Sequence, residues 1–174
     1  MSLTPAALAD RAGITDALNA YAQGVDQRDW DLYRSAFATD ATVDALIDGT
    51  GPRSPERFRD ELVDAFDDIR LSGQHVLSNT IFRIDGDTAH TVTEFLATTL
   101  ERVRDQPTLV ACLHAAGLYV DDLVRTPDGW RITRRVLALK SFEERRQTYA
   151  GPLAEAFRTT STTPWTHRLR SATA

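Results

Sequence analysis

Cysteine is almost absent from this chain of 174 residues, in which Cys112 is the one example. An internal disulfide is therefore impossible, and the apolar neighbours of Cys112 predict a buried, unreactive thiol. Histidine is also scarce, with four copies, and no Cys/His spacing typical of a zinc site occurs. The sequence thus predicts no metal centre.

Long apolar runs and an excess of positive charge are missing as well. No apolar segment approaches the ~18–20 residues that a membrane-spanning helix needs, and residues 1–13 lack the apolar stretch of a signal peptide. The net charge of −5 argues against nucleic acid and anionic membranes as main partners. We therefore expect a cytoplasmic protein that binds neither.

What remains is ordinary globular material, with 42% hydrophobic and 26% charged residues, enough for one domain. Helical periodicity comes first, then one short strand, another helix and a long series of strand-like runs. This order predicts an α+β fold, in which helices cover the concave face of a strongly curved, mainly antiparallel sheet of four to six strands. The expected cone, a cystatin-like α+β barrel, is a natural small-molecule pocket. The domain should span residues 1–174, with its core at about 6–142 and a helical tail at 143–174.

The most informative stretch begins at Tyr21. Tyr21 and Val25 share one helix face, and that helix is predicted to run to about Ala22 and to end in the segment from Gly24 to Gln27. Asp26 follows, where a carboxylate can turn from solvent toward the interior. Two simpler interpretations compete with a functional one: Asp26 is a capping or solvated carboxylate, and Tyr21 is a core residue.

His75 opens a predicted strand whose neighbours at two-residue steps are mostly apolar. A histidine at the rim of an apolar cavity, beside a carboxylate, can be held in one tautomer and act as a base. The distance between Asp26 and His75 along the sequence does not by itself bring them together.

Several motifs occur together in a characteristic order between about Ala6 and Phe142. They read A-Y-A-Q-G-V-D-Q-R-D-W-D-L-Y-R, F-A-T-D-A, Q-H-V-L-S-N, I-D-G-D-T-A, G-L-Y-V-D-D and D-G-W-R-I-T-R-R. This set resembles the SnoaL-like branch of the nuclear-transport-factor-2-like superfamily. Within that branch, it is most similar to scytalone dehydratase, bile-acid dehydratase and hexachlorocyclohexane dehydrochlorinase.

The resemblance implies an Asp–His pair that catalyses elimination, carried by Asp26 and His75. A tyrosine of bile-acid dehydratase falls on Tyr21, so the resemblance implies a role for this phenol too. The water-binding residues of scytalone dehydratase have no counterparts here, which implies a substrate that is less polar at that end.

Arg134 is the candidate for a pocket arginine, because the dehydrochlorinase carries one on its last strand. Strand alternation from Trp130 and Ile132 places Arg134 on their face and Arg135 on the other. The alternative is that both arginines pair with surface carboxylates. The expected substrate-binding residues are Arg134, Tyr119, Trp30, Ala45, Leu96 and Ala115.

The function that these patterns favour is a lyase, a dehydratase acting on a small hydrophobic hydroxylated compound, polyketide-like or steroid-like, in secondary metabolism. No metal or organic cofactor is implied. An isomerase or cyclase using the same pocket is one alternative, and a non-catalytic ligand-binding or dimerisation module is another. An apolar outer face of the sheet would favour a homodimer or homotrimer.

Overall fold

The computed structural model describes residues 4–106, 108–148 and Ala156. Three helices and one strand come first, and four long strands follow. The elements are α1 (Pro5–Gln27), α2 (Trp30–Ser35), β1 (Phe37–Ala45), α3 (Pro55–Phe66), β2 (Arg70–Asp85), β3 (Thr88–Arg102), β4 (Leu109–Thr126) and β5 (Gly129–Thr148).

The five strands form one sheet in the order β1-β5-β4-β3-β2. The four long strands run antiparallel to their neighbours, whereas β1 lies parallel to β5 at one edge. The β2–β3 and β4–β5 hairpins turn at Gly86 and Gly129, whose φ angles of 55° and 105° suit residues without a side chain. The prediction of an α+β fold with a mainly antiparallel sheet is confirmed.

Helix α1 is longer than the sequence predicts. Its start follows the expected rule: the Thr4 hydroxyl accepts a hydrogen bond from the Ala7 amide, and Pro5 occupies the first turn. The helix passes Gly24 and continues to Gln27, the last residue of the segment in which its end is predicted, and stops where Arg28 adopts a left-handed conformation.

Gly24 serves the packing of two helices instead of ending one. A Cβ atom at this position would lie 2.5 Å from both the backbone nitrogen and the Cα of Tyr33. The missing side chain therefore lets α1 and α2 touch backbone to backbone. The Tyr33 hydroxyl in turn donates to the Pro55 carbonyl oxygen at 2.9 Å, which ties α2 to the start of α3.

The predicted helical tail at 143–174 is wrong over its first six residues, because residues 143–148 belong to β5. Glu and Arg dominate this segment and favour a helix locally. The strand forms because β4 offers a continuous row of backbone partners, from His114 opposite Glu143 to Leu109 opposite Thr148. Apart from Ala156, the rest of that tail lies outside the described residues.

The core lies between the helices and the inner face of the sheet. Its centre is aromatic: Tyr21 packs against Tyr33, Phe37 and Tyr119, with ring centroids 5.4–5.9 Å apart. Within the described residues, no helix is long and apolar enough to cross a membrane.

Candidate active site

A cavity of about 440 Å³ lies between α1, α3 and the inner face of the sheet, and its size is typical of a site for a small molecule. Aromatic and aliphatic side chains form most of its wall. Phe58, Leu62 and Phe66 of α3 line one side, and Phe95 and Ala97 of β3 line the other. The chemistry of the cavity depends on the few polar groups among them.

Asp26 holds His75 in place by two contacts. One carboxylate oxygen of Asp26 accepts a hydrogen bond from the His75 backbone amide at 2.6 Å, and the other lies 2.6 Å from Nδ1 of the imidazole. Gly73 makes room for this approach, because a Cβ atom there would lie 3.3 Å from Asp26 Oδ1. The prediction that Asp26 and His75 lie within hydrogen-bonding distance is confirmed.

The two contacts fix the orientation and the tautomer of the His75 ring. An ionised carboxylate only accepts hydrogen bonds, so a neutral His75 ring paired with it carries its proton on Nδ1 and presents the lone pair of Nε2. The His75 ring lines the cavity, whereas Asp26 does not and has a side chain only 4% exposed. The arrangement is an imidazole that a carboxylate holds in place and that faces an apolar chamber.

The sequence posed a geometric difficulty, since Tyr21 and Asp26 lie about 140° apart around an unbroken helix. The structure resolves it without bending α1. Tyr21 faces the cavity directly, while Asp26 contacts His75 from behind the cavity wall. The imidazole therefore connects the carboxylate to the chamber.

A buried ion pair lies beneath Tyr21. The Arg135 guanidinium donates to both oxygens of Asp121 at 2.7 and 2.8 Å, and both side chains are 0% exposed. The guanidinium carbon lies 4.0 Å from the centre of the Tyr21 ring and 4.2 Å from that of Tyr119. Two aromatic rings thus form the floor of the cavity, and the Arg135 guanidinium lies beneath them.

Burial controls the ionisation of this floor. It raises the pKa of Tyr21, an effect that Arg135 partly opposes, and it raises the pKa of Tyr119 strongly. Burial also raises the pKa of Asp121, again against the influence of Arg135. Burial by itself lowers the pKa of Arg135, but Asp121 and the two phenols outweigh this effect, so the pKa of Arg135 lies above its ordinary value. Tyr21 consequently keeps its proton and can act as a hydrogen-bond donor.

The sequence and the fold can now be compared with known proteins. A family model described as the SnoaL-like domain matches residues 6–136. This chain belongs to the SnoaL-like domain family. The family lies within the nuclear-transport-factor-2-like superfamily, as the motif resemblance predicts.

Relatives of this SnoaL-like domain occur in bacteria. The protein Rv2910c of Mycobacterium tuberculosis is 36% identical over 136 residues, covering 77% of this chain and 88% of the relative. The structure of Kfla4162 from Kribbella flavida has a TM-score of 0.69 at 25% identity and covers 79% of this chain and 95% of its own. A hexachlorocyclohexane dehydrochlorinase, LinA type 2, has a TM-score of 0.69 at 20% identity, covering 83% and 95%, and shares the fold.

Three of the expected substrate-binding residues lie where the sequence predicts. Ala45, Ala115 and Tyr119 all line the cavity of the SnoaL-like domain. Alternation along the strands accounts for them, since each points from the inner face of its strand.

Arg134 does not face the cavity, so this prediction is wrong. Its side chain is 52% exposed and lies 3.8 Å from Asp122 on the outer face. The cause is a β-bulge at Thr133: Asp122 pairs with Arg134, whereas Leu123 pairs with Ile132. The extra residue shifts the alternation by one position, and Arg135 becomes the buried arginine.

Leu96 and Trp30 are also wrong as cavity residues. Leu96 is 58% exposed on the outer face, because Phe95 and Ala97 occupy the inner positions of β3. Trp30 lies at the start of α2, where its ring packs against Tyr33 with centroids 5.9 Å apart, and it borders a separate small crevice.

Two cavity arginines escaped the sequence analysis, Arg53 and Arg70. Arg53 lies in a segment rich in Gly, Pro and Ser, and Arg70 lies between a helix-like run and a strand-like run, so neither belongs to a periodic pattern. Phe95, Ala97 and Thr99 also line the cavity, and their two-residue spacing was the signal that could have identified them. Within the described residues, no three His, Cys, Asp or Glu side chains form a group that could hold a metal ion.

Proposed function

We propose that this SnoaL-like domain is a cofactor-independent lyase that eliminates water from a small apolar hydroxylated compound, polyketide-like or steroid-like. The observation that carries the proposal is the Asp26 carboxylate at Nδ1 of an imidazole that faces an apolar cavity. The fold shared with a dehydrochlorinase supports elimination as the type of reaction.

His75 is the proposed base. Its Nε2 removes a proton from the carbon beside a substrate carbonyl, and the electrons of the C–H bond form an enolate. The enolate expels the hydroxyl group from the next carbon, and that group leaves as water with the proton taken by His75. The net change is the loss of one water, with no oxidant or reductant. Such a positioned base contributes typically ~10²–10⁴-fold in rate.

Asp26 is a positioning residue, because it touches His75 rather than the cavity. Its carboxylate keeps the proton on Nδ1 and stabilises the imidazolium that forms during the reaction. Tyr21 is the proposed donor to the carbonyl oxygen. Its raised pKa keeps the phenol protonated, and Arg135 below the ring favours negative charge developing at that oxygen.

The test is turnover of a panel of β-hydroxy ketones of polyketide, steroid and terpenoid type, with loss of one water followed by mass spectrometry. We expect His75→Ala to lower the rate by about 10²–10⁴-fold and Asp26→Asn by about 10²-fold or more. Tyr21→Phe should lower the rate by less than either of these variants if the phenol only donates a hydrogen bond.

A matched control is available in His90, whose Nδ1 also lies 2.7 Å from a carboxylate, that of Asp122, but whose side chain is 61% exposed. His90→Ala should leave turnover unchanged. The positioning role of Asp26 has its own readout, since ¹⁵N NMR of the His75 ring should show the Nδ1–H tautomer in the wild type and its loss in Asp26→Asn.

Isomerisation or ring closure would use the same proton transfer but would leave the mass of an added substrate unchanged, so the product mass separates these reactions from elimination. Near-normal turnover in a folded His75→Ala variant would refute the proposed base. No turnover of the whole panel by the wild type would instead favour a non-catalytic ligand-binding module.

A further inference from the structure

The two arginines of the cavity wall differ in how their charges are neutralised. Arg53 forms ion pairs with Asp48 and Glu61 and donates to the Thr50 hydroxyl at 2.8 Å. Two carboxylates thus surround one guanidinium, and few of its donors remain for a ligand. Arg53 is best understood as the link between the loop after β1 and helix α3.

Arg70 has no comparable set of partners. Its Nε lies 3.8 Å from Glu101 Oε1, beyond hydrogen-bonding distance, and both atoms are buried without a hydrogen-bond partner in the described part of the chain. The side chain is only 15% exposed. A buried N–H donor without an acceptor is costly, so the retention of this one at Arg70 Nε calls for a physical reason.

The position of Arg70 is set by backbone geometry and by an aromatic contact. A β-bulge at Leu71, where Arg70 pairs with Glu101 and Ser72 pairs with Leu100, turns Arg70 toward the inner face of β2. The guanidinium carbon then lies 4.9 Å from the centre of the Phe66 ring. Packing therefore holds the charged group in place at the cavity wall.

We propose that Arg70 binds a carboxylate of the substrate, so that the natural ligand of this cavity is an apolar acid. The inference rests on the proposed function only in taking this cavity as the substrate site. A guanidinium presents paired N–H donors that match the two oxygens of a carboxylate. Glu101 alone does not satisfy them, since its separation from Arg70 excludes a direct hydrogen bond.

Arg70 and His75 line the same cavity from one strand. A ligand whose carboxylate contacts Arg70 would present its apolar body to Phe66 and Phe95, which also line the chamber. Arg70 would thereby determine which substrates enter and how they are oriented toward the base. It is a specificity-determining residue and takes no part in proton transfer.

The test compares matched ligands that differ only in charge: 2-naphthoate with 2-naphthamide, and 4-phenylbutyrate with 4-phenylbutyramide. Binding to the full chain is measured by isothermal titration calorimetry. We expect the wild type to bind at least one carboxylate about tenfold or more tightly than its amide, the usual contribution of a charge-assisted contact. Arg70→Gln should remove this preference while amide affinity changes less than about twofold.

Arg70→Gln leaves Glu101 buried without a cation and can therefore destabilise the fold. The double variant Arg70→Gln/Glu101→Gln avoids this, because both side chains are then neutral, and it should show the same loss of preference. Glu101→Gln alone should strengthen carboxylate binding, since the competing negative charge is gone. Arg134→Gln, which removes an exposed arginine from the outer face, is the control for net charge and should leave the preference intact.

The proposal is overturned if no pair shows a carboxylate preference in the wild type, or if the preference survives in the folded double variant. If Arg70 and Glu101 form only a structural ion pair, Glu101→Gln should lower the free energy of unfolding and should not increase the affinity for the carboxylate ligand. His75→Ala distinguishes this proposal from the lyase proposal. If His75→Ala keeps the carboxylate preference and Arg70→Gln loses it, the Arg70 site is supported whether or not the protein catalyses elimination. If Arg70→Gln keeps the preference, a loss of turnover in His75→Ala still supports the lyase proposal.

Discussion

The buried Asp121–Arg135 pair lies beneath Tyr21 and Tyr119 at the floor of the cavity, and removing one partner should destabilise the fold. Both side chains are fully buried and joined by two hydrogen bonds of 2.7 and 2.8 Å. In Asp121→Leu, Arg135 would keep its charge with no carboxylate to balance it. Only the faces of Tyr21 and Tyr119 would remain as partners.

The expected cost follows from the burial. Breaking a buried pair by removing one partner typically costs ~3–5 kcal/mol, because the remaining ion is left uncompensated in a low-dielectric interior. A domain of this size has a total stability on the order of 5–15 kcal/mol. The loss corresponds to a fall in Tm of roughly 6–20 °C, at about 2–4 °C per kcal/mol. Arg135→Met should cost a similar amount for the same reason.

The double variant Asp121→Leu/Arg135→Met should behave differently, because it removes both charges and fills the space with apolar atoms. Replacing a whole buried pair is often neutral or stabilising. We therefore expect the free energy of unfolding of the double variant to lie within about 1 kcal/mol of the wild-type value. The two substitutions would then be coupled by several kcal/mol. The assay is urea denaturation of all four proteins, followed by tryptophan fluorescence and far-UV circular dichroism.

The neighbouring pair Asp122–Arg134 provides the control, because it is one position along each strand but on the solvent side of the sheet. Arg134→Met should change stability by less than about 0.5 kcal/mol. The reasoning would be refuted if Asp121→Leu cost no more than this exposed control. A double variant as unstable as the sum of its single variants would refute it equally.

Two further predictions concern the charge on Glu101 and the outer face of the sheet. Burial raises the pKa of Glu101, with Arg70 opposing. This group therefore stabilises the folded state fully below its ordinary pKa of 4.5 and loses that contribution as the pH rises through the higher folded value. The unfolding free energy of the wild type relative to Glu101→Gln should fall as the pH rises above 4.5, and a constant difference would contradict the shift. The outer face of the sheet exposes apolar surface at Val76, Val92 and Leu96. Sedimentation velocity should therefore show a dimer or trimer of the 19.3 kDa chain, and Leu96→Glu should weaken this association. A monomeric wild type would contradict the expected homo-oligomer.

Local signals in the sequence determined most of the secondary structure. Thr4, Asp29 and Ser54 each cap a helix as their residue types predict, because a side-chain oxygen accepts from a free amide of the first turn. Strand β3 has the bounds that its β-prone composition predicts. The Asp26–His75 contact was identified from the motif resemblance, since composition and spacing alone left it undecided.

The tertiary structure decided which side chains face the cavity. Alternation along a strand has a period of two residues, so one inserted residue reverses every assignment that follows it. Bulges at Thr133 and Leu71 do this, turning Arg134 outward and Arg70 inward. Whether a bulge forms depends on the partner strand, which lies far away in the sequence, and no local pattern records it.

The same distinction explains the two differences in element boundaries. Gly24 looked like a helix end because glycine is costly in a helix, yet its lack of a side chain is what lets α2 approach. Residues 143–148 looked helical by composition, yet β4 extends far enough to pair with them. In both cases, a contact between distant segments outweighed a local preference of about 1 kcal/mol or less per residue.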